Sequence, residues 1–173
     1  MTMKQNDLIS QLLSTAGDGT GTVDATGTYT VAAPGIFYIA PAAGQIFQIH
    51  RIIMSLEDET GFKAETFGKE SALTNGWTLK HERDGVVITD FTNGIAIKTN
   101  ARFGDFCFDV DVKNWANTPT NELLLARFTF AKFGQPLRLI GDDSDILVAR
   151  FQDTMTAFLS LQIVAQGFLE TLE

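Results

Sequence analysis

An all-β fold is what this sequence predicts: an antiparallel β-sandwich, of jelly-roll form, preceded by a short N-terminal helix and a flexible arm. Three observations carry the prediction. Short runs rich in β-branched and aromatic residues recur at regular spacing from Tyr29 onward. Gly, Pro, Asn and Asp punctuate them, most clearly at Asp84-Gly85 between WTLKHER and VVITDF, a strong hairpin signal. No helical patterns alternate with the runs, which argues against a parallel α/β sheet.

Taken in order, NDLISQLL at residues 6–13 places Leu8, Ile9, Leu12 and Leu13 on one stripe at helical spacing, with Asn6 or Asp7 as N-cap. So short a helix is marginal alone, so it either frays or docks that stripe. Residues 14–28 crowd Gly, Ser, Thr and Asp and read as a flexible arm. Residues 1–27 thus form a helix and arm, and 28–173 the sandwich domain. Strands are expected near 28–32, 36–40 and 45–57, with Pro34 and Pro41 in the connections, where a missing amide donor is harmless. WTLKHER and VVITDF follow, then a turn at Asn93-Gly94. In DFCFDVDVK, Phe106, Phe108, Val110 and Val112 alternate with Asp105, Cys107, Asp109, Asp111 and Lys113, so one face is buried and one wet. LLLARFTFAKF repeats the rhythm, with Leu124, Ala126, Phe128 and Phe130 inward. LRLIGD and DILVARF are joined through a Gly-Asp-Asp-Ser turn. A last strand runs from Met155 through Ala157, Leu159, Leu161, Ile163 and Ala165, unless Asp153-Thr154 first caps a helical turn.

The totals fit one domain. The 173 residues are 45% hydrophobic and 20% charged, and phenylalanine, with 14 copies, implies a substantial core and an interface. A net charge of -8 with dispersed basic residues gives no footprint for a phosphate backbone, so no direct nucleic acid partner is expected. A lone cysteine, Cys107, excludes an internal disulfide and a multi-cysteine zinc site. The opening MTMKQNDLIS lacks a long apolar run, so neither a secretory signal nor a membrane span is expected. The mature chain is expected to begin here, in a cytoplasm.

Candidate chemistry is sparse. In GDDSDILVARFQD, Asp142, Asp143 and Asp145 offer oxygens to a cation, but a calcium loop gathers six to eight such ligands. Gly and Asp are also what a tight connection requires, and the turn reading is favoured, with a weak ion site as the minor alternative. Asp153 reads as a strand end or cap. Asp109 and Asp111 share a strand face, yet paired-carboxylate catalysis needs one group shielded, and a wet sheet face offers no shield. Cys107, flanked by carboxylates, is a poor nucleophile. His50 and His81 lack ligand spacing. No nucleophile elbow, phosphate loop or dinucleotide motif occurs, so neither an enzyme nor a catalytic, metal or cofactor site is expected. Trp77 and Trp115 read as core or interface anchors, with sugar stacking as the lesser alternative. The stripe Leu8, Ile9, Leu12 and Leu13 remains the candidate partner-binding set; it folds back on its own domain or reaches a neighbour.

The stretches TYTVAAPGIFYIAPAAGQIFQIHRIIMSLED, GIAIKTNARFGDFCFDV and PLRLIGDDSDILVARFQDTMTAFLSLQIVAQG together resemble the small jelly-roll virion proteins of tailed bacteriophages, in layout over most of residues 28–168. The resemblance implies a capsid decoration, or cement, protein: a homotrimer bound to the major capsid protein lattice, located on the virion surface, assembled in the host cytoplasm and without chemistry of its own. A host- or carbohydrate-binding module of a phage fibre is the alternative.

Overall fold

The computed structural model describes residues 7–58, 63, 65–67, 71–92, 94–99, 108–114, 122–130 and 134–171. Among them ten strands form two antiparallel sheets. The strands are β1 (Asp7–Leu12), β2 (Gly35–Ile39), β3 (Gln45–Asp58), β4 (Trp77–Arg83), β5 (Val86–Asp90), β6 (Phe108–Asn114), β7 (Glu122–Thr129), β8 (Leu137–Ile140), β9 (Asp145–Phe151) and β10 (Ser160–Thr171). One sheet runs β1-β10-β3-β7-β6, with β8 also paired to β3; the other runs β2-β9-β4-β5. This is a β-sandwich, built mostly where the two-residue rhythm placed its strands.

Alternation decides which side chains fill the space between the sheets. Leu124, Ala126 and Phe128 of β7, with Phe130 beyond it, are buried as expected. Leu161, Ile163 and Ala165 of β10 face them from the same sheet, and Phe37, Trp77, Leu79, Leu147, Ala149 and Phe151 from the other. The rings meet in preferred geometries: Phe37 lies edge-on to Phe151 at 5.9 Å, and Trp77 stacks on Phe151 at 5.7 Å. Asp84 and Gly85 take φ of 45° and 76°, the left-handed pair that a two-residue hairpin turn requires.

Four expectations are corrected. The helix over 6–13 is instead the edge strand β1 from Asp7, paired with β10 from Asp7↔Leu169 to Leu12↔Val164. A two-turn helix satisfies few of its own amides, whereas the open edge of β10 offers partners for each alternate residue. The segment after β1 is also not a free spacer. Leu13 donates its amide to Ile163, Ser14 exchanges amides with Tyr38 of β2, and Ala25 returns to Leu161 of β10. Ser14 Oγ, buried, accepts the Gly17 and Gly19 amides at 3.0 and 3.2 Å. Gly17, at φ +80°, lies flat against the Tyr38 ring, where a Cβ would sit 2.1 Å from a ring carbon. Lastly, residues 28–32 form only an isolated bridge, Thr28↔Thr154, and β10 begins at Ser160, leaving Leu159 half-exposed.

Candidate functional site

The aspartate turn is the place to look for chemistry, and its geometry is fully engaged in structure. Gly141–Asp143 form one 3-10 turn, closed by Ser144 in the left-handed region at φ 53°. It carries the chain from β8 in one sheet to β9 in the other, so it is a crossover and not a hairpin. Gly141 fits because a Cβ there would stand 1.9 Å from the Ala42 carbonyl oxygen. Asp142 Oδ1 accepts the Gly44 amide at 2.8 Å, tying the crossover to the β2–β3 loop. Asp143 pairs with Arg83 at 3.2 Å.

Asp145 is the anchor. Fully buried, it accepts Arg83 Nε and Nη2 at 2.8 and 2.9 Å and the Ile140 amide at 3.0 Å. His81 Nε2 lies 3.0 Å from Asp145 Oδ1, in ion-pair range but off the line of a hydrogen bond. Burial alone would raise the Asp145 pKa, but the Arg83 fork, the Ile140 amide and His81 together outweigh it and hold the group down at about 2. Asp153 accepts the Asn75 and Gly76 amides at 3.0 and 2.6 Å and fixes the turn before β4. No group of His, Cys, Asp and Glu among the described residues is arranged to hold a metal ion. The arrangement is a turn, as the sequence suggested, and also a brace between the two sheets, which it did not.

The other candidates disperse. Trp77 is 2% exposed, so its ring offers no platform to a sugar. His50 lies edge-on to Phe168 at 5.3 Å, and His81 sits in the Asp145 brace, so the two histidines share no site. Asp109 and Asp111 lie on β6 opposite Arg127 and Leu125. Asp105, Cys107 and Trp115 fall outside the described residues.

The proposed partner-binding stripe is divided by the strand. Cross-strand neighbours share a face. Ile9, opposite Gly167, packs against the core, and Leu13 is 1% exposed within it. Leu8, opposite Phe168, is 79% exposed, and Leu12, opposite Val164, lies on the same outer face. Of the four, therefore, two pack into the fold and two lie on the outer face of the sheet.

The structure adds surfaces that the sequence reading passed over. On edge strand β5, Val86, Val87 and Ile88 are 63%, 45% and 52% exposed, and nearby Ile95 is 55% exposed. Their signal was present in VVI, an apolar run without alternation beside a tight turn. On the outer face of the larger sheet, a bulge sets His50 and Arg51 of β3 against Gln166 of β10 and opens a hollow of about 340 Å³ beside Leu8 and Phe168. Arg51 Nε donates to Gln166 Oε1 across it.

Comparison with protein-family models, curated proteins and solved structures returns no match for this chain. Among the described residues no helix is long and apolar enough to cross a membrane.

Proposed function

We propose that this chain is a non-enzymatic structural protein of a tailed-phage virion, a capsid decoration protein that forms a homotrimer and binds the major capsid lattice to stabilise it. The observation that carries the reading is edge strand β5. An edge that no other described strand pairs with, exposing Val86, Val87 and Ile88 on both faces, is a template for association, and monomeric proteins blunt such edges with charge, proline or cover. Here the tip stays apolar, so a partner surface is what completes it.

The strand order supports the jelly-roll form of the reading. Chain-adjacent pairs β1–β2, β2–β3, β3–β4, β8–β9 and β9–β10 each pass from one sheet to the other, an interleaving typical of such rolls. Asp142, Asp143, Asp145 and Asp153 serve as braces, and the reading looks to the protein's surface for its means of action. The sugar-binding alternative loses Trp77 to the core.

Co-sedimentation with capsids assembled without this protein tests the proposal. The wild type is expected to pellet with capsids at saturable stoichiometry, and Val87→Glu with Ile88→Lys, both at exposed positions, to fold but remain in the supernatant. A wild type that never pellets with any capsid would remove the decoration role.

A further inference from the structure

We infer that the outer face of the larger sheet, across β1, β10 and β3, is where a second copy of this chain packs. The inference deepens the proposed oligomeric role and rests on it.

The rows on this face are apolar where a soluble monomer would place charge. Leu8 lies opposite Phe168, and Leu12 opposite Val164, which in turn lies opposite Ile53. Between these rows run Ser10, Gln166 and Arg51, and Arg51 is the only charged residue of the eight. The chain as a whole carries a net charge of -8, so two copies repel over most of their surface. They approach with least opposition where carboxylates are few, and the middle of β1, β10 and β3 is such a zone, with Glu57 and Glu170 toward the ends of its rows. An unrelated acidic or basic partner would gain little from it, which favours another copy as the occupant.

Size agrees. At ~4.8 Å between strands and ~3.3 Å per residue, β1, β10 and β3 present roughly 500 Å² in flat projection before side-chain relief. Stable pairs bury about 800 Å² of accessible surface per partner. Shape agrees as well. The hollow at the bulge lies beside Leu8, which projects with 79% of its surface exposed. Leu8 itself lines the hollow, so a projecting side chain and a recess adjoin on one face, and the same patch on two copies can fit one against the other. Arg51, held by Gln166 through Nε, lines the hollow. Glu170, near the end of β10, accepts from Gln48 Nε2 and is a carboxylate on the same face.

Native mass and sedimentation velocity of the full chain test the inference, with Leu8→Glu, Val164→Glu and Val87→Glu compared. The wild type is expected to run as an oligomer, Leu8→Glu and Val164→Glu to run as single chains with unchanged β circular dichroism, and Val87→Glu to keep the oligomer. An oligomer that survives both Leu8→Glu and Val164→Glu overturns the inference, as does a monomeric wild type. If Val164→Glu fails to fold, Leu8→Glu decides alone, because its side chain is already in water. A monomeric wild type that still pellets with capsids would end this inference and leave the decoration reading standing.

Discussion

Asp145 shows how one side chain links turn, sheet and pH. Its carboxylate joins the end of β4 to the start of β9 through Arg83 and reaches back to β8 through the Ile140 amide. An unfolded Asp releases its proton near 3.8, whereas this one does so at about 2. Between these values the unfolded chain binds more protons, so the stabilisation is complete above about pH 4 and is lost as pH falls through about 2. The shift corresponds to about 2 kcal/mol. Asp145→Asn is therefore expected to lower urea-unfolding stability at pH 7 by about 2 to 3 kcal/mol, since it also leaves the partners of a buried carboxylate unmatched. The gap between variant and wild type is expected to close as pH approaches 2. Equal gaps at pH 7 and pH 2.5 would show that the brace acts through shape and not charge. Sequence alone marked Asp145 as turn chemistry but did not name Arg83 or His81, because their encounter depends on a register between strands more than sixty positions apart.

At the scale of elements, β1 is the instructive case. LISQLL satisfies two patterns at once: helical spacing unites Leu8, Ile9, Leu12 and Leu13, while alternation separates Leu8 and Leu12 from Ile9 and Leu13. Local sequence cannot choose between them. The choice is made by the free edge of β10, which lies more than 150 residues away in the chain. By contrast, β4, β5 and β7 were readable because the Asp84-Gly85 turn and the inward Leu124, Ala126 and Phe128 each carry their own local signal. The two patterns for β1 also predict different energetics. On the strand, Leu13→Ala opens space in the core and is expected to destabilise by about 2 to 4 kcal/mol, whereas Leu8→Ala, out in solvent, should stay within about 0.5 kcal/mol. Chemical denaturation of the two variants measures this directly. Similar losses for both would restore the docked-helix pattern.

For the whole molecule, two faces compete for the same apolar composition. Fourteen phenylalanines and a 45% hydrophobic chain could all have been absorbed by one core. That core is instead completed by one face of each sheet, and Leu8, Val86, Val87, Ile88 and Ile95 remain outside it. Composition announced the surplus; only the strand order says where it emerges, because a one-residue change of register would send each set to the opposite face. The surplus coexists with a net charge of -8, and the balance between the two sets the salt dependence of assembly. Repulsion between copies reaches about 30 Å at 10 mM salt and about 8 Å at 150 mM, while apolar contact is hardly screened at all. Raising salt from 10 to 150 mM is therefore expected to tighten self-association, seen by sedimentation equilibrium as a smaller dissociation constant. Were the copies held chiefly by ion pairs through Arg51, the same change would loosen them, and Arg51→Gln would then abolish the oligomer and not merely adjust it.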